Sequence, residues 1–397
     1  MLSGARAVIS PDSKMAKVPV QGAVLRWARE FRGLSLDEAA SRLGLTASEL
    51  QEVESGIRQP SLTQFEKFGT AYRLPRCTLF RKTPPEEPPK PTDFRTIGGV
   101  GHHDSFDFGV AESRIRSFQS VLRLLRFEDE EFPPVELRHY DFNASAFTQG
   151  GAERNAIGVS VEAQLSWKSD EGFRRWRAII EHIGIAVYLQ NFSLDAGRAF
   201  SLWEKEEPPA IIINKADHSP NAWTYSLVHE YAHLLIRKPG LSDLNPKNPI
   251  EAFCNRFAAA FLMPIDALKL VLPSWPNQPI SWDVGTVWNA AGRLKVSAQA
   301  LAIRLEELNK ASSGFNQLFA TRGNPRAKPS PDQRPDFVRT RLSELGGYYT
   351  ESVIGALDRE VIDVVHASQA LGFSPSPNSM GKARKYLDRY RELASVE

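Results

Sequence analysis

Two histidines four residues apart, with a glutamate after the first, occur in the stretch VHEYAHLL, which runs from Val228 to Leu235. Because a helix turns by about 100° per residue, His229 and His233 project from one face, at a spacing that lets both imidazoles bind one zinc ion. Zinc lowers the pKa of water to about 7, and a glutamate at this position can take the proton as the oxygen attacks a carbonyl. The stretch therefore predicts Glu230 as a general base.

The short pattern also arises by chance, so its context decides whether it is a metal site. Glu251 lies on the next predicted helix, IEAFCNRFAAAFLMP, and Asn255 is one turn further along the same face. An open catalytic zinc has three protein ligands, which His229, His233 and Glu251 supply, and Asn255 is expected to hydrogen-bond a ligating histidine. The neighbouring Cys254 is interpreted as a small buried thiol rather than as a ligand.

Three β-prone runs precede this helix: IAVYLQ at 185 to 190, AFSLWE at 199 to 204 and AIIINKA at 210 to 216. Their spacing predicts a small, mainly antiparallel sheet. If the edge of AIIINKA faces the metal cleft, its backbone could pair with an extended peptide, which favours a protein or peptide substrate. An ordinary sheet strand is the alternative, and both can hold at once.

The N-terminal part, residues 23 to 80, breaks into short amphipathic runs separated by turn signals, which predicts a compact helical domain. Ser35 and Thr46 each precede such a run, and Glu38 and Glu49 follow three residues later. Both pairs are predicted to be capping boxes at helix N-termini.

Composition places the chain among soluble globular proteins. Its 397 residues are 42% hydrophobic and 24% charged with a net charge of +2, so any nucleic-acid binding must be local. Two cysteines far apart in sequence fit a reducing compartment, and no apolar run is long enough to span a membrane. We therefore expect a cytoplasmic protein with no membrane partner.

HEYAHLLI followed by EAFCNRFAAAFLMP resembles the ImmA/IrrE family of zinc metallopeptidases, whose pattern is HExxHxL and then ExxxNxFAxxLLMP. The resemblance covers most of residues 170 to 310. It implies a zincin-like domain in which His229, His233 and Glu251 hold Zn2+ and Glu230 is the base. These are the roles that the residues themselves suggest.

LSLDEAASRLGLTASELQEVESGIRQPSLTQFEKFGTAYRL is similar to the helix-turn-helix of Cro-like repressors, the XRE family. That resemblance implies a five-helix domain that binds double-stranded DNA, with residues 46 to 55 as the recognition helix in the major groove. The polar residues expected to contact DNA are Thr46, Ser48, Gln51, Arg58 and Gln59.

The charge of this domain gives only partial support for DNA binding. Residues 17 to 82 hold 11 Lys and Arg against 7 Asp and Glu, a net charge of +4. The recognition helix itself holds Glu49, Glu52 and Glu54 and no basic residue, which would weaken phosphate binding unless some of them point inward. A helix-turn-helix kept for protein contact or dimerisation is the alternative.

The predicted fold class is mainly α with a small β-sheet, an α+β protein. The predicted divisions are a flexible extension at 1–16, a helix-turn-helix domain at 17–82, a Pro/Gly-rich linker at 83–105, a metallopeptidase domain at 106–311, a second linker at 312–336 and a helical C-terminal region at 337–397.

The predicted function is that of a DNA-binding regulator whose zinc endopeptidase cleaves a repressor or antitoxin protein. Two alternatives stay open: a transcription factor whose metal domain senses a ligand without hydrolysis, and an antitoxin-type regulator that binds a toxin. The oligomeric state, with a homodimer as one option, and the substrate cannot be deduced from the sequence.

Overall fold

The computed structural model describes residues 17–74, 76–85, 106–128, 135, 137–194, 197–204, 207–217, 219–238, 248–320 and 336–395. The extension predicted at 1–16 and most of the two predicted linkers lie outside the described residues. The described residues form two compact units, one containing residues 17–85 and 106–113 and the other containing residues 114–395.

The first unit contains the expected five helices: α1 (Gly22–Phe31), α2 (Leu36–Leu43), α3 (Ala47–Glu54), α4 (Leu62–Ala71) and α5 (Arg76–Leu79). Both predicted capping boxes are present, because Ser35 and Thr46 accept from the backbone N–H of Glu38 and Glu49, whose side chains bond back. The core between the helices is apolar and includes Leu25, Ala39, Leu50, Phe68 and Tyr72.

The helix α6 (Phe106–Glu128) leads into the second unit, whose remaining helices up to the metal motif are α7 (Ala146–Ile157), α8 (Val161–Ser166), α9 (Gly172–His182) and α10 (Pro220–Leu235). The helices that follow are α11 (Pro249–Leu262), α12 (Ile265–Val271), α13 (Val284–Leu294), α14 (Ala298–Glu307), α15 (Gln317–Ala320), α16 (Phe337–Leu345), α17 (Gly347–Asp358), α18 (Val364–Leu371) and α19 (Pro377–Ala394). None of the described helices is long and apolar enough to cross a membrane.

The sheet has three strands, β1 (Ala186–Gln190), β2 (Ala199–Leu202) and β3 (Ala210–Asn214), in the order β1-β3-β2. β2 pairs with β3 in an antiparallel manner, with Ala199 opposite Ile213, whereas β1 pairs with β3 in parallel. The prediction of a mainly antiparallel sheet is therefore wrong. Successive strands reverse direction along the chain, and the insertion of β3 between its neighbours brings the first and third strands, which run the same way, side by side.

Every residue of the three strands is buried, because helices cover both faces of the sheet. Val187 and Ile211 face the core that contains α10, and Tyr188 on the opposite face packs on Phe118 and Tyr349. α10 lies against β2 and β3, while α16 and α17 cover β1. The sheet thus provides a fixed platform for the helix that carries the HExxH motif.

Candidate metal centre

Helix α10 presents the two histidines of the motif on one buried face. It begins at Pro220, and the Ser219 side chain caps it by accepting from the N–H of Ala222. His229 is 3% exposed and His233 is fully buried, and their Nε2 atoms lie 3.2 Å apart. The four-residue spacing thus brings both imidazoles to one point, as predicted.

Helix α11 brings a carboxylate to the same point. Asn248 caps its N-terminus, with Pro249 in the first turn, so that Glu251 lies in that turn with its side chain fully buried. Its two oxygens lie 3.0 Å from His229 Nε2 and 3.3 Å from His233 Nε2. All three side chains offer ligand atoms within 4.8 Å of one another, the only such group of three among the described residues.

The outer nitrogen of each histidine is held by an oxygen. His229 Nδ1 lies 3.0 Å from Asn255 Oδ1, and His233 Nδ1 lies 3.0 Å from the backbone oxygen of Lys238. Because these oxygens can only accept, each Nδ1 carries a proton, which leaves Nε2 as the nitrogen that could bind a metal ion. The contact of Asn255 agrees with its predicted role, while the Lys238 carbonyl has no signature in the sequence.

These spacings fit a metal ion. Ligand atoms at about 2.0–2.1 Å from a tetrahedral zinc lie about 3.3 Å from one another, close to the separations of 3.0, 3.2 and 3.3 Å found here. Two imidazoles and one carboxylate are the donor set of an open zinc site, in which a fourth position is left for water or substrate. His229, His233 and Glu251 are thus the residues that could hold a metal.

The electrostatics of the site keep the carboxylate charged. Burial alone would raise the pKa of Glu251, but hydrogen bonds and charge from His229 and His233 outweigh it and lower the pKa to about 2. Burial lowers the pKa of His229, and its contacts with Glu251, Glu230 and Asn255 raise it above the ordinary value. The site therefore concentrates negative charge where a cation would lie.

Two further buried side chains lie near the three residues. Glu230, adjacent to His229 on the same helix, is 1% exposed, so its carboxylate lies in the buried region beside the cluster. Cys254 is fully buried, burial raises the pKa of its thiol well above the ordinary value, and it is absent from the donor cluster. It packs as the small thiol that was expected.

The strand AIIINKA does not offer an edge. β3 lies in the middle of the sheet and pairs on both sides, so the hypothesis that its edge binds a peptide is wrong. The physical reason is the strand order, which hydrophobic alternation cannot predict. β2 lies at the rim instead, against α10, and among the described residues no strand pairs with its outer side.

In the first unit, three of the five residues expected to contact DNA have structural partners. The Thr46 hydroxyl caps α3, Arg58 pairs with Glu49 at 3.2 Å, and the Gln59 side-chain oxygen accepts from the N–H of Val20 at 3.0 Å. These side chains therefore contribute to the internal contacts of the domain.

The other two candidates, Ser48 and Gln51, are exposed on α3. Glu54 points inward, and Arg29 donates to its two oxygens at 2.8 and 2.9 Å. Arg29 could not be predicted as the partner, because 25 residues separate it from Glu54 along the chain.

The chain thus contains a Cro-like helical domain and a domain in which an HExxH motif and a glutamate form a group that could hold a metal ion. Comparison with protein families agrees. Residues 22–79 match a helix-turn-helix domain family, and residues 180–306 match the Peptidase_M78 family, the IrrE N-terminal-like domain. The chain therefore combines a DNA-binding type of domain with a metallopeptidase type of domain. Neither the curated proteins nor the solved structures gave a match to the chain.

Proposed function

We propose that this protein is a zinc-dependent endopeptidase that cleaves a repressor or antitoxin-like protein, and that its N-terminal domain binds double-stranded DNA. The observation that carries the proposal is the convergence of His229, His233 and Glu251, with Glu230 beside them, in the region that matches an IrrE N-terminal-like domain.

Each residue has a distinct role in the proposed reaction. His229, His233 and Glu251 hold the ion, and Asn255 and the Lys238 carbonyl orient the two imidazoles. Bound zinc would supply Lewis acidity for the carbonyl and lower the pKa of water. Glu230 takes a proton from the attacking water and delivers it to the leaving amine, so that peptide hydrolysis balances without another cofactor.

A protein substrate is supported by the match of residues 180–306 to the Peptidase_M78 family, the IrrE N-terminal-like domain. A folded repressor would have to present the cleaved segment in a loop or a terminus.

The N-terminal domain would bring the enzyme to DNA. A helix-turn-helix reads DNA through its recognition helix, and Ser48 and Gln51 are the exposed polar residues of α3 that fit this role. Binding near an operator would raise the local concentration of any repressor bound beside it. The substrate we propose is therefore a DNA-bound protein encoded close to this gene.

The test is incubation of zinc-loaded protein with repressor and antitoxin proteins encoded nearby, with the Glu230→Gln variant as the matched control. The variant keeps the three ligands, so we expect full zinc content and loss of cleavage by about 10²-fold or more. Equal cleavage by both proteins would refute the role of Glu230. Zinc binding without cleavage of any candidate would favour the ligand-sensing alternative, and co-purification with an uncleaved toxin would favour the antitoxin alternative.

A further inference from the structure

One buried carboxylate outside the group of His229, His233 and Glu251 accepts four hydrogen bonds. Glu153 on α7 is fully buried, and Arg138 donates to both of its oxygens at 2.6 and 2.7 Å. The hydroxyls of Tyr140 and Tyr231 donate to it at 2.9 and 2.5 Å. A buried carboxylate with this many donors holds its partners in place, because the loss of any one of them weakens the hydrogen bonding of a desolvated oxygen.

One of these donors, Tyr231, belongs to α10, the helix that carries the two histidines. Tyr231 is two residues from His229 and two from His233, so it leaves α10 about 200° away from each of them, on the opposite side. Tyr231 is 1% exposed. Its bond to Glu153 therefore fixes the rotation of α10 from the side away from the metal.

The segment 137–142, which we call the strap, supplies the other donors and holds the end of the same helix. The N–H of Tyr140 donates to the oxygen of Leu235 at 3.1 Å, and Arg237 donates to the oxygen of Leu137 at 2.9 Å. The strap thus contacts the residues just before Lys238, whose carbonyl orients His233.

The helix that carries Glu153 also fixes α11. Gly150 approaches it so closely that a Cβ there would lie 2.5 Å from the Phe257 oxygen. Arg154 donates to the oxygen of Phe261 at 2.8 Å, near the end of α11. α7 is therefore bound to the helix of the two histidines and to the helix of Glu251.

We propose that Glu153, acting through Tyr231, is a positioning residue that sets the metal affinity of this protein. The proposal rests on the proposed function only in that His229, His233 and Glu251 bind a metal ion. A site whose ligands come from two helices binds tightly only if both helices are held before the ion arrives, because otherwise binding must order them. Glu153 restrains α10 in this way without being one of the three candidate ligands.

The strap offers a matched pair of variants for the test. Tyr231→Phe and Tyr140→Phe each remove one hydroxyl that donates to Glu153 and keep the aromatic ring. Only Tyr231 lies on α10, the helix of the two histidines. We measure zinc affinity of the full chain by competition with a chromogenic chelator. Thermal unfolding of the metal-free proteins reports the structural loss.

We expect Tyr231→Phe to weaken zinc binding by about tenfold and Tyr140→Phe to leave it unchanged. Tenfold is the lower end of the loss seen when a residue that orients a metal ligand is replaced. Cobalt-loaded Tyr231→Phe should also show altered visible absorption, because the ligand geometry relaxes. Equal affinities in both variants would overturn the proposal even if both unfold at lower temperature. A wild-type chain that binds no zinc would instead refute the metal site itself, and the positioning role with it.

Discussion

The contact between α7 and α11 makes two neighbouring glycines respond in opposite ways to the same substitution. A Cβ at Gly150 would lie 2.5 Å from the Phe257 oxygen and 3.2 Å from the Ala260 Cβ, whereas a Cβ at Gly151 meets nothing within 4 Å. Because the obstructing atom at Gly150 is backbone, it cannot rotate away, and α7 and α11 must separate by about 0.9 Å to reach ordinary contact.

The magnitude follows from two opposing terms. Replacement of glycine by alanine inside a helix gains about 0.5–1 kcal/mol, and overpacking of a tight interface costs about 1–3 kcal/mol. We place the cost at Gly150 near the upper end, so Gly150→Ala should lower the free energy of unfolding by about 2 kcal/mol. Gly151→Ala should raise it by up to about 1 kcal/mol.

The assay is thermal unfolding of the two full-length variants beside the wild type, followed by tryptophan fluorescence. A difference of about 3 kcal/mol between the variants corresponds to about 6–12 °C in Tm for a unit of this size. Zinc affinity should fall only in Gly150→Ala, because Glu251 and Asn255 belong to the displaced helix. Unfolding temperatures that shift by the same amount in both variants would refute the close approach of α7 and α11.

Four further substitutions test separate parts of the structure. Asn255→Ala should weaken zinc binding by about 10- to 100-fold, since His229 loses the acceptor that fixes its ring, and chelator competition measures this. Glu54→Ala should lower the free energy of unfolding of the helix-turn-helix domain by about 3 kcal/mol, because it removes the buried carboxylate to which Arg29 donates, and the midpoint of urea unfolding reports the loss. Thr46→Ala should lower the free energy of unfolding by about 1 kcal/mol, because the helix loses its cap, and an unchanged stability would contradict the capping role. Gln51→Ala should weaken operator binding about tenfold without changing stability.

The metal cluster could be predicted because its residues obey local rules. His229 and His233 are related by one helical turn, which helical periodicity predicts. Glu251 was expected beside them because it lies on the next helix and matches the ImmA/IrrE pattern. Four of the N-terminal helices were predictable from amphipathic runs and turn signals, and the fifth was implied by the resemblance to Cro-like repressors.

Features that depend on tertiary pairing were not predictable. The central position of β3 follows from how three strands assemble, and a single strand of alternating or continuous apolar residues does not encode its neighbours. Likewise, the bond between Glu153 and Tyr231 joins residues 78 positions apart, and the Lys238 contact uses a backbone carbonyl that every residue has.

The residues that were predicted to contact DNA could not be distinguished from capping residues. Thr46 was expected both to cap its helix and to contact DNA, and its hydroxyl is committed to the cap. A polar residue at the start of a recognition helix satisfies both patterns, so composition alone cannot separate them. Only the hydrogen bonds of the folded domain distinguish these roles.

The most direct test of the central claim is zinc K-edge X-ray absorption of the zinc-loaded chain, combined with its metal content. We predict one zinc per chain, with nitrogen and oxygen ligands at about 2.0–2.2 Å, the imidazole scattering of two histidines and no sulfur ligand. A sulfur shell at about 2.3 Å would show that Cys254 or Cys77 binds the ion instead, and a chain that retains no zinc would contradict the metal site altogether.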